Sequence, residues 1–426
     1  MNRPKYSLPG APVIRRTAAT TTVQTSVLGG QPFYAHHHDA NGWHISQSLA
    51  DITVGHADPV IDAERIAELR SAPMSSWPDG LTSFIRDVHV LDANSTYHFT
   101  DGDPEYRVES HRHEWTTSPS LTPTSLIEHL TAALQHAQMP QSPLLFLSGG
   151  LDSAVLAVVM ADRGIDFDAI CIFDGHNADD VDYATALATE LGLPFSVHEF
   201  DYNAFISGLP RAVAAFSDPR PDLFFASGLL DCLSTIGPGK YRTVIGGEPA
   251  DALLGGLRTQ VTAVNDRARE AVRTAALRTQ IPRDIAILEQ ASATVGADAT
   301  CPYGYLPLAS AAMSTSWPSL LDAGHAQHPT GELGGPGYKI LQAGAAQLLP
   351  SSELRRIATR TKRGLPSSAA THWRKLQSEL SEDPHDAQPM LELGVHIYEQ
   401  LFVHGLSVTE ISVEESISHA KGGTRA

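Results

Sequence analysis

A short turn between two apolar segments places the strongest limit on how this chain can fold. Residues 144–147 (LLFL) predict a buried parallel strand, and residues 154–160 (AVLAVVM) predict a helix packed on the same sheet. Between them lies the segment Ser148-Gly149-Gly150-Leu151-Asp152-Ser153. Glycines let a backbone approach a ligand closely, and the N-terminus of a helix presents unpaired N–H groups to an anion. The segment therefore predicts an anion site at the end of a strand.

Asp152 restricts the kind of anion that this site can bind. A carboxylate repels a bare phosphate, but both groups can bind the same Mg²⁺ ion. The turn therefore predicts a magnesium-bound phosphate group, with Ser148, Gly149, Gly150 and Ser153 as further contacts. The alternative is an ordinary glycine-containing connection, which the order of strand, glycines, carboxylate, serine and helix disfavours.

The SGGLDS segment resembles the pyrophosphate loop of the ATP pyrophosphatase superfamily, whose members include the asparagine, NAD and GMP synthetases. The resemblance implies that ATP is cleaved between its α and β phosphates and that a substrate is activated as its adenylate. It also implies that ATP and Mg²⁺ are the cofactors. The sequence contains no Walker A pattern, GxxxxGK[ST]. Gly239-Lys240 comes nearest to it, but Tyr241 follows where serine or threonine is needed.

A second segment, residues 245–256 (IGGEPADALLGG), is similar to the GEGxDExFGG segment of asparagine synthetases. The resemblance implies that Asp251 is a second Mg²⁺ ligand opposite Asp152 and that Gly247 belongs to the nucleotide site. It also implies that Glu248 binds the incoming amine or removes its proton. The alternative is a glycine-rich helix start in which an acid stabilises the helix dipole, and the upstream SGGLDS segment disfavours it.

Two residues of this second segment depart from the asparagine synthetase pattern. Pro249 stands where the family has its second glycine, and Ala252 stands where the family has an acid after the aspartate. The loop is therefore expected to be stiffer, and its pocket less polar, than in an asparagine synthetase. These departures concern the substrate more than the adenylation chemistry.

A third group of segments resembles the C-terminal region of the same family, with its pattern K-x-x-L-x-A, then LP, then R-x-K-x-G. The matching residues are Tyr338-Lys339-Ile340-Leu341-Gln342-Ala343, Leu348-Leu349-Pro350 and Arg360-Thr361-Lys362-Arg363-Gly364. The resemblance implies that Lys362 stabilises the negative charge that develops on the acyl oxygen and the departing phosphate. The alternative is a basic surface cluster, because several arginines surround Lys362.

Weaker matches predict the rest of the nucleotide site. Phe173-Asp174 ends the second predicted strand, where related enzymes receive the adenosine. Asp182, Ala184 and Leu191-Gly192 resemble a helix of the same family. Asp218-Pro219 either shapes the acyl-acceptor pocket or caps a helix, and capping is the favoured interpretation.

The order of predicted elements indicates an α/β protein. Strands alternate with helices from about residue 144 to residue 260, which predicts a doubly wound parallel sheet, as in adenine nucleotide alpha-hydrolases. The predicted strands are residues 144–147, 169–173, 195–200 and 243–245. Short apolar runs separated by turn residues predict a smaller strand-rich region before the sheet. The chain after the sheet is predicted to be mostly helical.

The N-terminal region resembles part of a domain that supplies ammonia in related enzymes. Residues 43–52 and 85–95 resemble the later part of the glutaminase domain of glutamine-dependent asparagine synthetases. Those enzymes begin with a nucleophilic cysteine, whereas here Asn2 follows Met1 and the first cysteine is Cys171. The region is therefore expected to lack glutaminase activity.

Two domains are predicted from these resemblances. Residues 1–120 form a truncated, inactive glutaminase-like domain of the Ntn type, and residues 121–426 form an asparagine-synthetase-like domain that makes amide bonds. We expect the first domain to act as a structural shield or as a surface for a partner.

Composition excludes several other classes of protein. A formal charge of −18 over 426 residues argues against a wide nucleic-acid-binding surface. No run of about 18 apolar residues exists to span a membrane, and Pro4, Pro9 and Pro12 interrupt any signal-peptide core. The three cysteines are far apart and fit no metal spacing, which indicates buried thiols in a reducing compartment. We therefore expect a cytoplasmic protein.

A group of histidines in the N-terminal region raises the question of a metal site. Its members are His36, His37, His38, His44 and His56. No second set of ligands accompanies them, so an exposed loop is the favoured interpretation over a metal centre.

Three hypotheses about function follow. The first is an amide synthetase in which the substrate carries its own amine, as in β-lactam synthetases and lasso-peptide cyclases, because holding both groups in one pocket makes the attack unimolecular. The second is an asparagine synthetase-like enzyme that uses free ammonia or a separate glutaminase. The third is a binding module without activity, which the retention of Asp152, Glu248, Asp251 and Lys362 disfavours.

The first hypothesis also defines the partners to expect. The substrate is a small molecule or a peptide with a carboxylate, and the pathway belongs to specialised metabolism. A homodimer or a biosynthetic partner protein is compatible with the sequence, whereas nucleic acid and membrane are not expected partners.

Overall fold

The computed structural model of the protein has a parallel sheet at its centre and two antiparallel sheets in its N-terminal part. It describes residues 12–38, 42–56, 58–72, 77, 80–110, 119–137, 143–176, 178–321, 339–360, 370–383 and 386–423. The predicted fold class, an α/β protein with a strand-rich N-terminal region and a helical C-terminal part, is confirmed.

The N-terminal strands form one sheet of four strands and one of three. They are β1 (Val13–Arg16), β2 (Thr20–Gln24), β3 (Tyr34–His38), β4 (Gly42–Ser46), β5 (Val88–Val90), β6 (Ser95–Thr100) and β7 (Tyr106–Ser110). The sheets have the orders β1-β2-β6-β7 and β4-β3-β5, and all their neighbouring strands are antiparallel. Two short helices, α1 (Leu49–Gly55) and α2 (Ala63–Ser71), lie between β4 and β5 in the chain.

The central sheet contains five parallel strands in the order β10-β9-β8-β11-β12. They are β8 (Leu144–Phe146), β9 (Asp168–Phe173), β10 (Phe195–Glu199), β11 (Thr243–Ile245) and β12 (Asp298–Thr300). The four strands predicted from sequence are confirmed. The fifth, β12, was not predicted, because Asp298-Ala299-Thr300 contains no apolar run and only Thr300 is buried.

Helices surround this sheet and continue to the C-terminus. Those up to β12 are α3 (Pro123–His136), α4 (Leu151–Asp162), α5 (Ala178–Leu191), α6 (Tyr202–Phe216), α7 (Ser227–Ile236), α8 (Ala250–Leu254), α9 (Arg258–Val261), α10 (Asp266–Ala276) and α11 (Gln280–Ala293). Those after β12 are α12 (Leu306–Met313), α13 (Trp317–Leu320), α14 (Ile340–Leu348), α15 (Ser352–Thr359), α16 (Ala370–Leu380), α17 (Gln388–Phe402) and α18 (Val413–Gly423). Among the helices of the described residues, none has the length and apolar character needed to span a bilayer.

Helix α4 is the central helix of the fold. Every residue from Ser153 to Met160 is buried, as expected for a helix that is apolar on all sides. Its N-cap is Gly150, and no side chain caps it. The first N–H groups of α4 are therefore left to the loop and to a ligand.

A second apolar core joins the N-terminal region to the C-terminal helices. It includes Tyr34, Ile52 and Phe84 from the N-terminal region and Tyr398 and Phe402 from α17. The Tyr398 hydroxyl also accepts a hydrogen bond from the Phe84 backbone N–H at 3.3 Å. The predicted domain boundary near residue 120 stays a prediction, and apolar packing connects the two sides of it.

Four of the five histidines lie in strands and not in an exposed loop, so the favoured interpretation was wrong for them, while His56 follows the end of α1. His36, His37 and His38 belong to β3, which pairs with strands on both sides and therefore holds their side chains against neighbours. The rings of His36 and His56 stack with their centroids 4.2 Å apart. Among the described residues, no group of three or more such side chains is arranged to hold a metal ion.

Glu190, at the end of α5, anchors the start of α15. Its carboxylate accepts hydrogen bonds from the hydroxyls of Ser351 and Ser352, at 2.5 Å each, and from the backbone N–H groups of Ser352 and Glu353 at 2.8 and 3.0 Å. Burial is the largest single influence and raises the pKa of Glu190, but the four hydrogen bonds together outweigh it and lower the pKa to about 2. This connection fixes the start of α15, a helix whose C-terminal end leads to the site described below.

We expect Glu190→Gln to lower the free energy of unfolding at pH 7 by about 1 kcal/mol, the usual effect of losing a helix cap. Because the pKa of Glu190 is lower in the folded protein, its stabilising effect is present above the ordinary pKa of 4.5 and disappears as the pH falls toward 2. Urea unfolding across this range measures it, with the exposed Glu382→Gln as control. A difference from wild type that does not change with pH would contradict the prediction.

Candidate functional site

The SGGLDS turn connects β8 to α4 at the carboxyl edge of the sheet. Its shape is held by the two serine hydroxyls, whose oxygens lie 3.2 Å apart. The Ser148 N–H donates to Ser153 Oγ at 3.2 Å, and Ser153 Oγ donates to the Gly150 carbonyl at the same distance. The two serines therefore hold the turn together through hydrogen bonds to each other and to its backbone.

Gly149 is required at the tip of this turn. Its φ is +69°, a conformation that favours glycine, and a Cβ there would collide with the Asp180 carbonyl. Arg360 fixes the same contact, because it donates to the Gly149 carbonyl at 3.1 Å and forms an ion pair with Asp180. The Arg360 guanidinium also lies 4.5 Å from the ring centroid of Tyr183. Arg360 thus connects the glycine turn to α5.

The second predicted segment follows β11, the strand next to β8, and reaches the same edge of the sheet. A side-chain carbon built on Gly247 would lie 3.3 Å from Cβ of Asp152, so the two segments are in contact. Asp251 lies in the first turn of α8. The structure therefore brings together Asp152, Gly247, Glu248 and Asp251, as expected for residues that follow neighbouring parallel strands.

Lys339, for which no role was predicted, lies between the two aspartates. Its Nζ is 2.8 and 2.6 Å from the two carboxylate oxygens of Asp152 and also forms an ion pair with Asp251. The Lys339 side chain is only 1% exposed. Lys339 lies in the segment that resembled the C-terminal family pattern, and this was the only signal in the sequence that could have indicated it.

The two aspartates fit a divalent cation. Their carboxylates converge on a single point, which the Lys339 ammonium marks, and carboxylate oxygens are the ligands that Mg²⁺ prefers. Gln342 donates from Nε2 to Asp152 Oδ1 at 3.0 Å and so orients that carboxylate. Its other polar atom, Oε1, is buried and receives no hydrogen bond from the described residues.

Glu248 lies beside this carboxylate pair and has a raised pKa. The main cause is its position deep among protein atoms, and the negative charges of Asp152 and Asp251 raise the pKa further. The Glu248 side chain nevertheless keeps an exposed surface, so a ligand can reach it. An exposed carboxyl group with a raised pKa is suited to exchanging a proton with a substrate.

Tyr303 and Gly256 also contact the residues of this site. Tyr303 is fully buried, and its hydroxyl donates to the backbone carbonyl of Asp152 at 3.1 Å. Burial raises the pKa of Tyr303 well above its usual range, so it remains a donor. At Gly256, a Cβ would collide with Asp251 and lie 2.6 Å from Cε of Lys339. Only glycine at this position leaves room for the lysine stem.

Phe173 and Asp174 lie at the end of the strand next to β8, whereas Asp218 takes part in an ion pair. Phe173 ends β9, beside β8, and Asp174 follows it with its Oδ1 accepting from the His176 N–H at 3.0 Å. Asp218 does not cap the 3₁₀ helix Pro221–Ala226 that follows it, because that helix has no side-chain cap. It forms a buried ion pair with Arg220, because it accepts from both the backbone and the guanidinium of that residue. Lys362 and Tyr338 lie outside the described residues.

The three cysteines are all buried. Burial raises the pKa of the Cys171 and Cys232 thiols to about 12 and raises that of Cys301 well above its usual range. None of them is therefore a thiolate that could attack glutamine.

Residues 126–304 match the family model of asparagine synthase. A solved structure of NMN synthetase from Francisella tularensis shares 15% identity with this chain, over 46% of this chain and 94% of that one, with a TM-score of 0.25. A TM-score this low supports no conclusion about this protein. A search of curated proteins found no match. The family match spans both the SGGLDS turn and the Asp251 segment, and it indicates that this protein is an enzyme, an ATP-dependent ligase similar to asparagine synthases.

Proposed function

We propose that the protein is an amide synthetase that converts ATP to AMP and pyrophosphate while joining a carboxylate to an amine. The observation that carries this proposal is the meeting of Asp152 and Asp251 at one point beside the glycine turn. The match of residues 126–304 to the asparagine synthase family supports the same chemistry. The proposal names the class of reaction and leaves the two substrates to experiment.

In the first half-reaction, the backbone N–H groups at the uncapped start of α4 bind the phosphates of ATP. Asp152 and Asp251 would hold Mg²⁺, which would supply positive charge near the phosphate oxygens. An oxygen of the substrate carboxylate forms a bond to the α-phosphorus, and the bond from that phosphorus to the bridging oxygen breaks. Pyrophosphate leaves, and the substrate becomes an acyl-adenylate.

In the second half-reaction, the amine nitrogen bonds to the acyl carbon, the bond from that carbon to the AMP oxygen breaks, and AMP leaves. We propose that Glu248 accepts the proton that the amine releases, a role that suits its raised pKa and its exposed side chain. We further propose that Lys362 stabilises the negative charge of this step. Its support is the sequence resemblance and its place two residues after Arg360, which contacts the glycine turn.

We infer that the substrate carries its own amine, as in β-lactam or lasso-peptide ring closure in specialised metabolism. The burial of all three cysteines supports this, because no thiolate is available to release ammonia from glutamine. In this proposal the N-terminal region, residues 1–120, is a truncated glutaminase-like domain without that activity. The alternative is an asparagine synthetase-like enzyme that takes free ammonia or ammonia from another subunit.

The test measures exchange of labelled pyrophosphate into ATP in the presence of pooled carboxylates, including amino acids and peptides, with hydroxylamine added to trap acyl-adenylates as hydroxamates. We expect exchange that requires both Mg²⁺ and a carboxylate, AMP as the nucleotide product, and no glutamate from glutamine. Formation of ADP and phosphate would overturn the proposal. Stimulation of product formation by ammonium salts would favour the asparagine synthetase-like alternative, and glutamate release would overturn the loss of glutaminase activity.

A further inference from the structure

Lys339 and a divalent cation require the same oxygens. Mg²⁺ binds carboxylate oxygens at about 2.0–2.1 Å, while the Lys339 ammonium already lies 2.6 and 2.8 Å from both oxygens of Asp152 and pairs with Asp251. Two cations held by the same pair of carboxylates also repel one another at close range. The ammonium and the ion therefore exclude each other from this point.

We propose that Lys339 fills the cation site while the enzyme is free of nucleotide, and that the divalent cation binds tightly only when Lys339 moves away. This inference rests on the proposed function for the identity of the site, since Asp152 and Asp251 are assigned there to Mg²⁺. Lys339 is then a positioning residue that keeps the two carboxylates together before the ligand arrives.

The position of Lys339 is built into the fold. Its backbone is left-handed, with φ 51° and ψ 64°, at the N-cap of α14, and this conformation directs the start of the helix. The lysine stem passes Gly256, where any Cβ would lie 2.6 Å from Cε of Lys339. The fold therefore leaves space for the Lys339 side chain at Gly256 and places its buried ammonium between two carboxylates. Without this ammonium the two carboxylates would repel each other.

Gln342 explains how the site keeps its shape when Lys339 leaves. Its Nε2 donates to Asp152 Oδ1 at 3.0 Å, and this hydrogen bond does not involve Lys339. Its Oε1 is buried and accepts no hydrogen bond from the described residues, so it can accept one from a group that arrives with the ligand. The phosphates of the nucleotide supply new oxygens for the displaced ammonium.

The test is direct binding of Mn²⁺ to the nucleotide-free protein, measured from the EPR signal of the unbound ion. We expect Lys339→Met, which keeps the length of the side chain and removes its charge, to bind Mn²⁺ on the order of tenfold more tightly than wild type, within the range of known coupling between sites. Lys375→Met is the matched control, because Lys375 lies on the exposed side of α16 against Tyr202. The control should bind as the wild type does.

Adding Asp251→Asn to Lys339→Met should abolish the gain, which locates the ion at the carboxylate pair. Equal affinity of wild type and Lys339→Met, or a gain that survives Asp251→Asn, would overturn the inference. Lys339→Gln provides a second variant that keeps a donor to one carboxylate, and it should give a smaller gain if Lys339→Met does not fold. Neither measurement uses ATP or substrate, so a failure of the proposed amide synthesis would appear separately, as absence of carboxylate-dependent exchange.

Discussion

Replacing Asp152 with asparagine is expected to lower ATP–pyrophosphate exchange by about a hundredfold to a thousandfold, the usual effect of removing one group that stabilises a transferring centre. Asparagine keeps the shape of the side chain and can still accept from Gln342, but it loses the negative charge that binds Mg²⁺. Lys339 retains Asp251 as a partner in this variant, so the fold should be preserved. Isotope exchange with saturating carboxylate measures the effect.

Asp298→Asn is the matched control for this experiment. Asp298 is an exposed acid in the same sheet, at the start of β12, and it has no place in the proposed site. We expect this control to exchange pyrophosphate at the wild-type rate. Unchanged exchange in the Asp152 variant would show that the glycine turn is not the pyrophosphate site.

Glu248→Gln is expected to separate the two half-reactions. Exchange should persist, because Glu248 takes no part in the attack on ATP, while amide formation should fall by about a hundredfold to ten-thousandfold, as for loss of a general base. Adenylate formation is measured as hydroxamate and the amide is measured by mass spectrometry. The exposed Glu199→Gln serves as control. A parallel fall in both half-reactions would place Glu248 in adenylation instead.

The same variant should change the pH dependence of amide formation. The raised pKa of Glu248 means that the carboxyl group becomes protonated, and is lost as a base, at a pH above its ordinary value of 4.5. In wild type the rate of the second half-reaction should therefore decline as the pH falls through this raised pKa. In Glu248→Gln that decline should be absent, whereas a decline retained in the variant would assign it to another group.

The central sheet could be predicted because its strands carry their own signal. Residues 144–147 and the pair Val244-Ile245 are apolar and are followed by segments of glycines and acids. Parallel neighbours end at the same edge, so Asp152 and Asp251 were expected to meet, and they do. Strand β12 has no such signal, because its residues Asp298-Ala299-Thr300 form no apolar run. They are held in a strand by pairing with β11.

Lys339 and the histidines show what the sequence could not predict. Lys339 reaches Asp152 from 187 residues further along the chain, and only the packing of α14 and the absence of a side chain at Gly256 make that contact. The histidine run was interpreted as an exposed loop because no second set of metal ligands accompanies it. Pairing with β4 and β5 holds it in a strand, and such pairing is a tertiary effect that a local pattern does not contain.

The apolar core that contains Phe84 and Tyr398 determines how mutations far from the site change the amount of folded enzyme in a cell. Large-to-small substitutions in this core typically cost about 2–5 kcal/mol, a large share of the stability of an ordinary domain. Because α6 and α17 contribute to this core, such changes lower the stability of helices outside the N-terminal region as well. Variants of the N-terminal region should therefore reduce how much enzyme accumulates, while each surviving molecule keeps its turnover rate.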